Sequence, residues 1–521
     1  MMAAHLRLVH LIDSLQDWSA SLPLDSETFA HLPLKPQPPI FEDLELLRKA
    51  SEDLSDTLQT LQELAKMIEK PSHELTASYR RARNHHLPPM RLPVELIGYV
   101  FEMACKPEPV SPQWQPSFDS VVQCRRMRHA IGSSCSHFRR VLLETRTAWN
   151  HIPVLIDGNL HPLHQTRDLL PLELARASRN TVHLYVSFKH ANLTESSDFM
   201  ASWKHLYSTL PAMQNHLKTL VIESDQTLPS TVILAGISDG RMFPALKSLY
   251  IDIHGHSSYA RLDLRGFPSL ESLFVRYMMW RAHPIDIIHG LSITCNSTSL
   301  IRELTLNGSI YADDALELLR SCHESIQVFR WTWPEGGTQS LPKPSRSVLK
   351  FPRLRSLELT VADPFAFLNP ARFEMPNLQD LTVGYSGHDQ QSADIHTIVL
   401  PSLHSCQIDY KSWRQNCLHS FFRKNPTIRC IKTMAPLAIV ASFFATAAAS
   451  ASALDEILPH LDRLHNICMG RPWEGLQPWF DSIRARRRPF VICLEVVGQS
   501  FDKELLDQHA DVVRFEAYAP L

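Results

Sequence analysis

The feature that most constrains this chain is a short block that recurs through its last two thirds: an apolar residue and proline, then x-Leu-x-x-Leu-x-Val/Ile/Leu. It reads FPALKSLYI from Phe243, FPSLESLFV from Phe267, FPRLRSLEL from Phe351, MPNLQDLTV from Met375 and LPSLHSCQI from Leu400. Weaker copies begin at His216, Leu300, Ser325, Pro426 and Pro459. The first apolar anchors of the copies are Leu217, Leu246, Leu270, Ile301, Ile326, Leu354, Leu378, Leu403, Ile428 and Leu461, at intervals of 29, 24, 31, 25, 28, 24, 25, 25 and 33 residues. A unit of this size cannot bury its own apolar face, so the copies must stack on one another. The last two anchors of a block, such as Leu249 and Ile251, lie two residues apart and therefore point the same way from a strand, into a core.

Most of these intervals fall within the roughly 20 to 29 residues of leucine-rich repeats, and the longer ones are read as surface insertions. The asparagine usual at the turn of such repeats is mostly missing. The expectation for residues 154–521 is therefore an irregular leucine-rich-repeat solenoid with a curved parallel sheet. The residue between the two strand anchors faces out, and stacking brings Tyr250, Phe274, Thr305, Arg330, Glu358, Thr382 and Gln407 into one row. Its aromatic, charged and hydroxyl side chains suit the recognition of a protein target.

The first third of the chain follows other rules. Residues 1–40 are irregular and end in HLPLKPQPPI, an extended proline-rich linker. Over 41–70, Leu47, Leu54, Leu61 and Ile68 recur seven apart, with Leu44, Leu58 and Leu64 widening the stripe, and Pro71 is expected to end the helix. Two readings remain open for it: a short coiled coil, or an amphipathic helix packed on its own chain.

From Leu92 the sequence runs LPVELIGYVFEMAC, with Pro93 placed for a first helical turn and Leu96, Ile97, Val100, Phe101 and Ala104 sharing one apolar face. A second helical stretch carries Ile131, Cys135, Phe138, Val141 and Leu142, with Trp149 just beyond it. The segment 87–153 resembles an F-box. Leu92-Pro93-Val94-Glu95-Leu96 matches the opening of that pattern, Cys135-Ser136-His137-Phe138-Arg139 its middle and Ala148-Trp149 its close. Phe138 stands where the pattern usually has Trp, and Ala148 where it has Leu. The proline-rich entry is similar to F-box proteins of mushroom-forming fungi. The resemblance implies an all-helical region that docks on a Skp-family adaptor, and through it a cullin, using Leu92, Pro93, Glu95, Leu96, Ile97, Val100, Phe101, Phe138 and Trp149.

Composition excludes other classes. With 52 Lys+Arg against 54 Asp+Glu the net charge is −2, so no overall field draws the chain to nucleic acid or to an anionic membrane. The ten cysteines form no C-x-x-C and no zinc-ligand spacing with histidine, and read as reduced core thiols. No P-loop, G-x-G-x-x-G or H-E-x-x-H occurs, so neither a cofactor nor a metal is expected. Gly236-Ile237-Ser238-Asp239-Gly240 formally satisfies G-x-S-x-G, but Pro244 arrives where a nucleophile elbow needs a helix, and the segment is read as a loop. The apolar run between residues 435 and 454 is rich in Ala and Ser and is expected to be a buried helix, not a membrane span.

Asp13 and Asp17 interrupt the only apolar stretch at the start, against a secretory signal, so the chain is placed in the cytoplasm. Basic clusters stand at Arg80–Arg83, Arg125–Arg128 and Arg484–Arg488, the last a candidate nuclear-import signal. The function implied by the resemblance is that of a non-enzymatic substrate receptor of a cullin-RING ubiquitin ligase. The alternative is a leucine-rich-repeat scaffold with no role in ubiquitination.

Overall fold

The computed structural model describes residues 41–85, 91–108, 117–157, 165–177, 181–189, 197–228, 233–234, 236–237, 242–255, 259–279, 290–295, 300–332, 348–361, 364, 368–385, 398–408, 417–434, 437–447, 457–468, 477–486, 490–496 and 510–515. The chain divides into two compact units, 1–97 and 98–521.

In the first unit, helix α1 spans Phe41–His85 without interruption. The expected stop at Pro71 is not observed. A proline costs one backbone hydrogen bond in mid-helix, but its fixed φ suits a first turn, and the residues after it include the good helix formers Glu74, Leu75, Ala77, Arg80 and Ala82. The second half thus propagates from Pro71. Helix α2, Val94–Ala104, begins where Pro93 offers its carbonyl to the N–H groups of Leu96 and Ile97, at 3.0 and 3.1 Å.

The second unit begins at Gly98 within α2 and continues with α3 (Phe118–Ser134) and α4 (Ser136–Glu144). The Ser117 hydroxyl caps α3 by accepting from Ser120 N–H, and the Cys135 thiol occupies the equivalent place before α4. Later helices are α5 (Leu170–Arg176), α6 (Ser197–Met213), α7 (Ala312–Cys322), α8 (Cys417–Lys424), α9 (Leu437–Ala447) and α10 (Gln477–Arg484). Helix α9 lies in the run expected to be an alanine-rich helix, and its Val440, Ala441, Phe443 and Phe444 are buried. No helix among the described residues is long and apolar enough to cross a membrane.

The strands are β1 (His151–Asp157), β2 (Val182–Lys189), β3 (Leu217–Leu228), β4 (Ser248–Gly255), β5 (Tyr259–Asp263), β6 (Ser272–Met279), β7 (Gly290–Thr294), β8 (Glu303–Gly308), β9 (Val328–Thr332), β10 (Leu349–Lys350), β11 (Ser356–Val361), β12 (Phe373–Glu374), β13 (Asp380–Tyr385), β14 (Ser405–Ile408), β15 (Cys430–Thr433), β16 (Arg463–Cys468), β17 (Val491–Val496) and β18 (Val513–Phe515). Among the described residues, fourteen of them form one open sheet in chain order, with β5–β7 and β10–β12 as two small separate pairs. Each strand of the large sheet runs parallel to its neighbours, so the fold is mixed α/β around a large parallel sheet. Strand β1 starts at His151, within the 87–153 segment expected to be helical, and β1 and β2 precede the first copy of the sequence block.

The block explains how each strand is entered. In Phe243-Pro-Ala-Leu246 and Phe267-Pro-Ser-Leu270 the anchor N–H donates to the carbonyl three residues back, and Met375, Leu400, Asn425 and Leu458 open the same turn. Proline sits at its second position, where its φ is already set. All ten first anchors are at most 3% exposed. The residue after each anchor then supplies the link to the next unit. The carbonyl of Lys247 accepts from Glu271 and Ser272 N–H, that of Glu271 from Arg302 and Glu303, and that of Arg302 from Gln327 and Val328. Gln327, Arg355, Gln379, His404 and Arg429 continue the series, all at 2.7–3.1 Å.

Where one unit meets a helix, an asparagine takes over. Asn425 is 0% exposed; its Oδ1 accepts from Leu400 N–H at 2.6 Å, and its Nδ2 donates to the carbonyls of Ile398 (3.1 Å) and Phe421 (2.7 Å). Asn425→Ala strands a buried N–H and two carbonyls at once. We expect it to lower unfolding stability by about 3 kcal/mol, read as a drop in the urea midpoint; a change below about 0.5 kcal/mol contradicts this role.

Candidate protein-interaction surfaces

Two surfaces stand out, one on α2 and one on the large sheet. Helix α2 is apolar on opposite arcs. Ile97 (3% exposed), Gly98, Phe101 (6%) and the following Cys105 are buried. Phe101 meets Phe138 edge to face, with centroids 5.4 Å apart. A Cβ on Gly98 would lie 3.0 Å from Thr145 Oγ1, so the helix backbone runs close to the end of α4. The other arc carries Leu96, Tyr99, Val100 and Met103, with Leu92 and Val94 at its start, and all six are exposed. Pro93 and Glu95 are also exposed.

The single face expected for Leu96, Ile97, Val100 and Phe101 is therefore split. Ile97 and Phe101 turn inward, and Leu96 and Val100 turn outward. At 3.6 residues per turn these pairs lie on different sides of the helix, and only packing decides which side goes in. Trp149, expected at the docking surface, is buried instead. Its indole Nε1–H donates to the Leu142 carbonyl at 2.9 Å, and its ring lies against the guanidinium groups of Arg128 (5.3 Å) and Arg176 (4.8 Å). Phe138 is half-buried behind Phe101.

Arg125 and Arg128, part of a basic cluster in sequence, are committed to the fold. Both reach the buried Glu173 on α5; Arg125 also donates to the Pro153 carbonyl, and Arg128 to that of Ala148 at 3.1 Å. Burial weighs against the Arg128 charge, and the Glu173 carboxylate supports it. This network ties α3, α5 and β1 into one body. The C-terminal basic cluster is likewise engaged where it is described: Arg484 forks onto Asp511 at 2.7 and 2.9 Å, and Arg486 is buried with its Nη2 on the Leu458 carbonyl.

On the sheet, the row read from the sequence is one line of lateral partners. Tyr250 pairs with Phe274, then Thr305, Arg330, Glu358, Thr382 and Gln407 follow in register. The line continues to Lys432 and His465, which the sequence reading missed because their blocks are weak copies. It also extends backward through Val221, Tyr185 and Pro153.

Exposure along the line is uneven. Tyr185 and Val221 are buried beneath Phe118 and Val121 of α3, with Tyr250 packed at the margin of that cluster. Phe274 stacks on Tyr250 with centroids 4.1 Å apart, and Thr305 is buried at 3%. Thr305 is thus removed from the expected docking row, because its neighbours in the line enclose a side chain this short. From Arg330 onward the side chains are half-buried or exposed. Arg330 Nε lies 3.3 Å from Glu358 Oε2. In the parallel line two residues further along the strands, Arg276 forks onto Asp252 beside Glu223, whose carboxyl is pushed up by burial.

Ser238 lies outside the described residues. Cys105, Cys124, Cys322 and Cys406 are buried free thiols. Among the described residues no group of three or more His, Cys, Asp or Glu side chains is placed to hold a metal. The histidines that do meet are His151 and His183, stacked at 4.5 Å on adjacent strands, with Nδ1 atoms toward Tyr185 Oη (3.2 Å) and Thr219 Oγ1 (2.9 Å).

Burial holds the His151 pKa down at about 3, with His183 adding to the effect, and burial holds that of His183 at about 4. Both rings are native in the neutral form. As pH falls below about 6.5 the unfolded chain takes up protons that the folded chain refuses, so stability present above that pH is lost, at up to about 1.4 kcal/mol per pH unit for each ring. Urea unfolding at pH 7 and pH 5 is expected to show a loss smaller by about 4 kcal/mol, about 2 for each ring, in His151→Gln/His183→Gln than in the wild type. Equal losses contradict the assignment.

Comparison with known proteins adds no relative: no family model matches the chain, and no curated protein matches it.

Proposed function

We propose that this chain is a substrate-receptor subunit of a cullin-RING ubiquitin ligase. In this reading the helices from Leu92 to Trp149 act as an F-box and dock on a Skp-family adaptor. The parallel stack acts as an irregular leucine-rich-repeat solenoid that holds a target protein. The chain performs no bond chemistry itself. It raises the local concentration of target lysines beside an active site on another subunit.

The observation that carries the reading is the outward arc of α2. Leu92, Leu96, Tyr99, Val100 and Met103 are exposed together directly around a Leu-Pro-x-Glu opening. Burying a large apolar side chain is worth about 1.5–3 kcal/mol, so covering three or four of them supplies a sizeable part of a specific contact before association costs. Leu92, Pro93, Glu95, Leu96 and Val100 then face the adaptor, with Tyr99 and Met103 added to the set. Phe101, Phe138 and Trp149 support the surface from within. Targets are gripped by the stretch of the row from Arg330 onward, with Glu358, Thr382, Gln407, Lys432 and His465, whose side chains are half-buried or exposed.

Co-purification with a Skp-family adaptor tests the proposal. The wild type is expected to form a stable one-to-one complex that Leu96→Glu/Val100→Glu abolishes, while its thermal unfolding stays within a few degrees of wild type because both positions are exposed. No wild-type complex, or a complex indifferent to the substitutions, contradicts it.

A further inference from the structure

We propose that α1 pairs antiparallel with α1 of a second copy of this chain, as a two-stranded coiled coil centred on residue 63. The inference stands apart from the receptor reading and needs no adaptor. It starts from a helix that leaves most of its apolar stripe uncovered: Leu54, Leu58, Leu61, Leu75 and Tyr79 are 45–66% exposed, and Leu64 and Ile68 are half-buried. Because the helix runs through Pro71, the stripe continues beyond the point where the sequence pattern seemed to end. Forty-five residues at 1.5 Å each make a rod about 67 Å long.

The stripe has two columns of heptad spacing. One is Leu54, Leu61, Ile68 and Leu75; the other, three residues ahead of each, is Ser51, Leu58, Ala65 and Ser72. The first column is wholly large and apolar, whereas the second alternates small with large. In a parallel pair each position meets its own copy, so Ser51, Ala65 and Ser72 form three layers without a large apolar side chain. Such layers leave voids or bury hydroxyls.

Antiparallel pairing sets one column against the other. With the twofold axis at residue 63 the layers are Ser51 with Leu75, Leu54 with Ser72, Leu58 with Ile68, and Leu61 with Ala65. Every small side chain then faces a large one, the alternation that fills an interhelical space evenly.

Charge selects the same orientation independently. Residues 41–62 carry six acidic and two basic side chains, and residues 64–85 carry two acidic and five basic. A parallel pair lays acid on acid and base on base. The antiparallel pair lays each half on its complement, which favours association and disfavours the wrong register.

The test uses the full chain. Light scattering after size exclusion at micromolar concentration is expected to give twice the chain mass of 59.4 kDa, and Leu58→Glu/Leu61→Glu to give the single mass. Orientation is read separately from disulfides mapped by peptide mass spectrometry. Ser51→Cys mixed with Leu75→Cys is expected to yield a 51–75 interchain bond. Ser51→Cys alone is expected to yield no 51–51 bond, since those positions sit about 36 Å apart in the antiparallel pair. A wild-type monomer overturns the proposal, as does a 51–51 bond. The mapping does not depend on the glutamate variants keeping their helix.

Discussion

From Lys247 to Arg429, each strand pair of the repeat sheet starts at a backbone carbonyl that accepts two N–H groups of the next unit, and the rest of the architecture follows from that link. The carbonyl always belongs to the residue after the buried anchor, from Lys247 to Arg429, and the two donors are always the residue after the next anchor and its successor. An anchor that must be buried and a carbonyl that must be filled fix the start of each large-sheet strand from β6 to β16. The span between one strand and the next anchor is left free in length. That is how intervals from 24 to 33 residues coexist with one parallel sheet in chain order. A buried backbone group without a partner is costly, so slippage of one unit would expose its anchor and strand two donors together.

Local satisfaction of the sheet releases other parts of the chain from structural duty. The line from Arg330 to His465 carries polar groups with no role in the anchors, and their register is set by residues two and three positions away. At the other end the same line is consumed by the fold. Phe118 and Val121 of α3 cover Tyr185 and Val221, while Arg125 and Arg128 converge on Glu173. The helical segment after Gly98 and the first strands are therefore one body held by apolar and ionic contacts.

The repeat was legible in the sequence because its signal is periodic and redundant: all ten anchors read from spacing are buried, and the seven-residue row is one line of partners. Strands β1 and β2 were not found, although HIPVLI and VHLYVSF alternate, because neither follows a proline-bearing turn. The fate of individual residues was less legible, for physical reasons. A helix apolar on both arcs, like α2, does not declare which arc is inward. Thr305 and Tyr250 lose exposure to groups that period alone does not place beside them. Pro71 looked like a stop because its local cost is plain, while the helix-forming strength of the next turns is spread over many residues.

The central claim is that α2 holds one apolar arc within the fold and presents the other to a protein partner. Hydrogen exchange on the full chain, with and without a purified Skp-family adaptor, tests it most directly. The account predicts strand amides already protected in both conditions and added protection on adaptor binding concentrated in peptides covering residues 92–103. Binding that leaves those peptides unchanged while protecting another region, or no change anywhere at saturating adaptor, would contradict it.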